Sequence, residues 1–416
     1  MYLFYFFATI GIWLGIQSLR GGFRYRAYVR RETARPLADF TPFVSVIAPC
    51  RGLEPMLHEN IQALFGQKYP AYEIIFVTDT RDDPALAVVE NIQEAWRNKS
   101  GPGNRIVVAG EAKDCGQKVH NLRIASSQVN AKCEVLAFVD SDGRPDTNWL
   151  RQLVAPLADE NLGAATGYRW FVPHRGGLAS RLRSVWNASV ASALGDNREK
   201  NFCWGGSTAI RRSIFDRLNI AERWQGSVSD DFTLTRTLHE AGLPIHFTPN
   251  CLVPSIGDCD LRELLEFTTR QLKITRVYAP HLWKAVLLGG LLFASIFFGG
   301  ILLVLVRAVL GLSFVIPLVL LCLIFVLGAG KAFVRWQAVT IPLSKYRREL
   351  NQDLMAQMVL WPFGTLLHLF NAVAAALSRR IHWRGITYEL KSPTEAVIIT
   401  RDTYNGAVAR PLGRAP

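Results

Sequence analysis

The stretch EVLAFVDSDGRPD, Glu134 to Asp146, decides the fold. Glu134 to Val139 is a short, almost wholly apolar run of strand length. It runs into Asp140, Ser141 and Asp142, two carboxylates one residue apart that repel each other and are costly to desolvate. In an extended segment residues i and i+2 point the same way, so Asp140 and Asp142 share a side. Two such carboxylates, with positions left open for substrate oxygens, suit Mg²⁺ or Mn²⁺ on a diphosphate. The competing reading is a surface turn, because Asp-Gly is turn-forming. The position behind a buried strand favours a site.

Outward from this strand, the same grammar repeats. FVSVIA (Phe43 to Ala48), EIIFVT (Glu73 to Thr78) and RIVVA (Arg105 to Ala109) read as strands. Met56 to Phe65, Pro84 to Trp96, Gly116 to Gln128 and a run from Thr147 read as helices. Strands alternating with helices at roughly 30-residue spacing predict an α/β domain with a mostly parallel, doubly covered sheet. Ligands then bind outside the carboxyl ends of the strands, where Asp79 and Asp140 fall.

The chain has 416 residues, a net charge of +13 and 50% hydrophobic residues. The apolar excess is concentrated. Tyr2 to Leu19, Ala285 to Val306 and Leu312 to Leu327 each approach the roughly 20 residues needed to cross a bilayer. Leu354 to Leu377 is also apolar but is broken by Trp361-Pro362-Phe363-Gly364, which suggests a re-entrant hairpin. The first run lacks the basic n-region and the cleavage pattern of a signal peptide. Arg20, Arg24, Arg26, Arg30 and Arg31 follow it, which places the long polar middle in the cytoplasm by the positive-inside rule. Arginines clustered beside apolar runs point to anionic headgroups of a lipid bilayer and not to nucleic acid. The seven cysteines are odd in number and lack metal-ligand spacing, as in a reducing compartment. The expected organisation is an N-terminal span (1–20), a catalytic domain (40–280), a membrane region (281–378), and a basic segment with a loose tail after about residue 401 (379–416).

Other polar positions add candidates. In FVTDTRDDP, Asp83 caps the helix opened by Pro84, while Asp79 at the strand end is free to bind a ligand. Lys118 and Asn121 lie at i and i+3 on one helical face, suited to a phosphate and to a sugar or base. Asp230 and Asp231 open a helix, where an acidic pair caps the N-terminus or supplies a general base. Thr269 to Arg276 is a basic amphipathic stretch fit for a membrane surface and for an anionic leaving group.

In order, Asp79, Asp140-Ser141-Asp142, Asp230-Asp231 and the basic helix resemble the D, DxD, D, (Q/R)xxRW series of lipid-directed family-2-type glycosyltransferases. More closely, VSVIAPCRGLEP, KVHNL, FVDSDGRPDTNWL, GGSTAIRRSIF and SVSDDFTLTRTLHEAG are similar to ceramide glucosyltransferases and their bacterial homologues. IHWRGITYEL (Ile381 to Leu390) resembles a segment of the bacterial members. The resemblance implies a GT-A-like domain and inverting transfer of a sugar, glucose foremost, from a UDP-sugar to a membrane lipid hydroxyl such as ceramide. It implies that Asp79 binds the uridine and that Asp140 and Asp142 hold the sugar nucleotide with its divalent cation. Asp231, with Asp230 beside it, would be the general base, and Lys118, Arg270 and Lys273 would face the diphosphate. The basic series departs from the family pattern, with Lys273 for Arg and Ile274 for Trp. A hopanoid, polyisoprenoid or polysaccharide acceptor, or a protein that binds sugar nucleotides without turnover, are the alternatives.

Overall fold

The structure, a computed structural model, describes residues 1–99 and 101–402. The chain divides into two compact units. One comprises Met1–Arg31, Val172–Ala193 and Asp258–Ser378; the other comprises Glu32–Phe171, Leu194–Gly257 and the described residues from Arg379 on.

The second unit is the α/β unit foreseen from the alternation. Strands β1 (Val44–Pro49), β2 (Tyr72–Thr78), β3 (Gly103–Val108) and β4 (Val135–Val139) are parallel, in the order β3-β2-β1-β4. Their apolar residues alternate between two cores. Val46, Ile74, Phe76 and Ala137 face one, and Ile47, Ile75, Val77 and Phe138 face the other, as expected of a sheet covered on both sides. Helices Leu57–Phe65, Pro84–Trp96 and Gln117–Ser127 cross between the parallel strands. Asp83 accepts from the Ala85 amide at 2.9 Å with Pro84 behind it, the cap read from the sequence.

Three further strands continue the sheet as β4-β6-β5-β7: β5 (Ala164–Val172), β6 (Ser207–Arg211) and β7 (Ile245–Ile256). β6 runs antiparallel to β4, with Val139 opposite Ser207. This register sets the residues that follow β4 beside those that precede β6. The order turns back at β1 and β4, the kind of switch point where α/β sheets open a ligand crevice. The stretch Arg380–Arg401 adds an antiparallel sheet of β8 (Arg380–Trp383), β9 (Ile386–Ser392) and β10 (Glu395–Arg401) to the same unit. The expected tail beyond residue 402 lies outside the described residues.

The first unit is helical. Tyr2–Thr33, Pro280–Val309 and Val315–Val339 are each long and apolar enough to cross a membrane. The first continues through the basic stretch to Thr33, past the expected boundary at residue 20, with Arg30 and Arg31 in its last turn, where cations suit the helix dipole. Ser344–Val359 and Trp361–Leu377 form a fourth apolar pair bent by 72°. The bend falls just before Pro362, which lacks the N–H needed to continue the helix ladder. Leu261–Tyr278 starts with a reciprocal capping box between Asp260 and Glu263.

Candidate active site

Five charged side chains converge at the carboxyl end of β4. Lys118, on the first turn of its helix, lies 2.8 Å from Asp140 Oδ1 and 3.2 Å from Asp230 Oδ1. Arg169, from β5, spans both carboxylates of the Asp140-Ser141-Asp142 turn, at 3.0 Å from Asp140 Oδ2 and 2.9 Å from Asp142 Oδ2. Its guanidinium rests against the rings of Trp204 (4.9 Å) and Phe171 (5.5 Å). The sequence posed the question of what offsets two adjacent carboxylates. Within the protein the answer is Lys118 and Arg169.

Backbone contacts bring these elements together. The Gly116 N–H donates to Ser227 O at 2.8 Å, tying the start of the Lys118 helix to the loop before Asp230. Asn60 donates to Ser141 O at 3.1 Å and holds the turn after β4. Gly205 and Gly206, which lead into β6, form a floor that admits no side chain. A Cβ on Gly205 would overlap Asp230 Oδ2 and approach Lys118 Nζ to 2.8 Å. One on Gly206 would overlap the Trp204 ring and approach Asp140 Oδ2 to 2.7 Å.

The two acids at the head of the Asp230–Glu240 helix differ. Asp230 is buried, at 5% exposure. Burial pushes its carboxyl up; Lys118 opposes this, Asp231 and Asp140 add to it, and the result is a pKa of about 6. Asp231 is half-buried. Its Oδ1 accepts from the Ser229 hydroxyl and from the Phe232 amide at 2.8 Å. These bonds orient the carboxylate, and its Oδ2 has no hydrogen-bond partner among the described residues. Burial would also raise Asp140, but Lys118 and Arg169 outweigh it and hold that carboxyl below its ordinary value. Burial opposes the charge on Lys118, yet Asp140, Asp230 and Asp231 together raise it, so the ammonium stays protonated.

Asp79 sits at the end of β2 beside Arg51, which follows β1, and the two form an ion pair. Asp79 is 6% exposed, and its Oδ1 has no hydrogen-bond partner among the described residues. Asn121 is buried and accepts from Gln117 at 2.8 Å, joining the network of the loop before the helix. Of the residues singled out in the sequence, the structure gathers Asp140, Asp142, Asp230 and Lys118 into one cluster, with Asp231 next to it. Arg270 and Lys273 belong to the Leu261–Tyr278 helix of the other unit. Arg270 lies over Phe267 at 5.6 Å, and burial lowers the pKa of Lys273.

Sequence reasoning missed Arg169 and the two glycines. An arginine amid Tyr168, Trp170 and Phe171 was a usable signal, since a cation in an apolar strand needs a buried countercharge.

The chain belongs to glycosyl transferase family 21, whose profile it matches over residues 4–396. It is similar to ceramide glucosyltransferase 3 of Caenorhabditis elegans, with 21% identity over 358 residues, covering 84% of this chain and 73% of that protein. It is also similar to ceramide glucosyltransferase 1 of the same organism, with 21% identity over 243 residues, covering 58% of this chain and 51% of the relative. Among solved structures it aligns with the mannosyltransferase PcManGT from Pyrobaculum calidifontis in complex with GDP-Man and Mn²⁺, at 17% identity and a TM-score of 0.48, covering 89% of this chain and 98% of the other.

Proposed function

We propose that this chain is an inverting transferase that moves glucose from UDP-glucose to the hydroxyl of a membrane lipid such as ceramide, at the cytoplasmic face. The observation that carries the reading is the pairing of a shielded charge cluster with a half-accessible, oriented carboxylate, Asp231. Family membership supports transfer chemistry, the names of the two nematode relatives support glucose and ceramide, and the apolar helices support a lipid acceptor.

In this reading Asp231 takes the proton of the acceptor hydroxyl through Oδ2 as that oxygen attacks the anomeric carbon. The bond from that carbon to the diphosphate breaks on the opposite face, and UDP leaves with the electron pair. Lys118 and Arg169, oriented by the same carboxylates that keep them ionised, would meet the charge that builds on the diphosphate. Asp79, at the end of β2, offers its unpaired Oδ1 to the imide N–H of uracil.

Asp140 and Asp142 fit a hard divalent ion. Magnesium commonly binds through one or two carboxylates and completes its shell with phosphate and water. No group of three or more His, Cys, Asp or Glu side chains is placed to hold a metal among the described residues, so the substrate would supply the rest. When bound, Mg²⁺ or Mn²⁺ would neutralise the leaving diphosphate. Arg169 already spans both carboxylates, so its guanidinium would share them with such an ion or yield them to it.

The test is a donor and acceptor panel: purified, detergent-solubilised protein is given radiolabelled UDP-glucose, UDP-galactose or UDP-N-acetylglucosamine with ceramide, hopanoid or polyisoprenoid lipid. Label in ceramide from UDP-glucose supports the reading. Label in another lipid, or from another donor alone, replaces that part of it.

A further inference from the structure

The C-terminal sheet reaches the start of the Lys118 helix through Tyr388 and Arg401. Arg401, the last residue of β10, lies five residues beyond the end of the family match at 396. Its Nη1 donates to Gln117 Oε1 at 3.0 Å and its Nη2 to Ala112 O at 3.0 Å. The same guanidinium stands 3.7 Å from Asp79 Oδ2 and 3.7 Å from Glu111 Oε2.

Each partner sits at a strategic place. Gln117 is 4% exposed and opens the helix that carries Lys118 and Asn121. Its side chain accepts from Ala112 N at 2.9 Å and donates to Gly110 O at 2.9 Å and to Asn121 Oδ1 at 2.8 Å. Its own backbone N–H, left over at the helix start, donates to Tyr388 Oη of β9 at 3.1 Å. Asp79 has one oxygen facing two guanidinium groups, those of Arg51 and Arg401, and the other buried without a partner among the described residues. Two cations on one side fix the rotation of the carboxylate. An unpaired buried acceptor is costly, and an N–H donor removes that cost.

We propose that Arg401 is a positioning residue of the nucleotide site: from the end of β10 it sets the orientation of Asp79 and the course of the 110–117 loop, so that both accept the base of the donor. The inference rests on the uridine reading of Asp79. It assigns to the C-terminal sheet a share in donor recognition, linking the base end of the site to the helix that carries Lys118.

The test is calorimetric titration of UDP, and separately of inorganic pyrophosphate, into the full-length solubilised protein. Four forms are compared: wild type, Arg401→Gln, Asp79→Asn and the double variant. Arg401→Gln is expected to weaken UDP binding about tenfold, the loss of a charge-assisted contact, while pyrophosphate binding is unchanged. In the Asp79→Asn background the same change is expected to cost less than about threefold, because coupled residues are non-additive. In turnover, the loss is expected to fall on donor KM more than on kcat. Should Arg401→Gln fail to fold, Arg401→Lys keeps the charge but loses the fork to Gln117 and Ala112, and is expected to weaken UDP binding likewise. Unchanged UDP affinity, or equal fold-losses in both backgrounds, would overturn the inference while leaving the donor reading intact. Wild-type protein that binds pyrophosphate but not UDP would overturn both.

Discussion

Asp230 and Asp231 are neighbours in the chain and opposites in environment. Asp230 is shut in with Lys118, whereas Asp231 turns one oxygen to its own helix and leaves the other open. Because the folded-state pKa of Asp230 is raised from 3.8 to about 6, folding favours its protonated form. Its contribution to stability is full below about pH 4 and is lost as pH rises through about 6. Asp230→Asn is therefore expected to flatten the pH dependence of the melting temperature between those values. An unchanged slope would place the titrating group elsewhere. The sequence marked both acids by their place at a helix start, yet gave no means of telling the buried one from the open one. That difference arises from Gly205, Lys118 and Asp140, which lie far from them in the chain and touch them only after folding.

At the scale of elements, the floor before β6 is the tightest constraint. Gly205→Ala would drive a methyl into Asp230 and is expected to cost about 3 kcal/mol or more, as overpacking beside a buried charge does. Gly195→Ala meets open space and is expected to melt within a degree or two of wild type, a matched control for the substitution itself. Thermal denaturation of both separates local clash from loss of glycine. The first four strands were legible because each is an apolar run with β-branched residues, bounded by turn signals, and they fall within two residues of their expected places. β5, β6 and β7 were not. Ala164–Val172 carries Gly167 and Arg169 in its middle, and its pairing to β6 joins residues some forty positions apart, as in Ala165 with Ala209. No local pattern encodes that partner. Arg169 was missed with its strand, and with it the protein's own counterion for Asp140 and Asp142.

For the whole molecule, the chain itself constrains topology. It leaves the carboxylate-bearing unit at residue 257 and rejoins it at residue 379. With that unit on one face of a membrane, as proposed above, an even number of crossings lies between. We propose that Pro280–Val309 and Val315–Val339 supply two and that the pair bent by 72° re-enters without crossing. On that topology Arg379, Arg380 and Arg384 share a side with Arg20 to Arg31, in keeping with the positive-inside rule, whereas a full crossing would put them on the opposite side. With Cys322 replaced by Ser, Leu312→Cys is expected to react with an impermeant thiol reagent from outside intact cells. Lys391→Cys is expected to react only after permeabilisation. Labelling of both from outside would mean that the bent pair crosses.

The measurement that bears most directly on the account is sugar transfer by wild type and Asp231→Asn, each purified in detergent, alongside their affinity for UDP. Wild type is expected to move label from UDP-glucose into the lipid phase. Asp231→Asn is expected to bind UDP as tightly while transferring about 10²–10⁴-fold more slowly, the range for loss of a general base. An Asp231→Asn enzyme that transfers at the wild-type rate would contradict the assignment of Asp231 and the mechanism built on it.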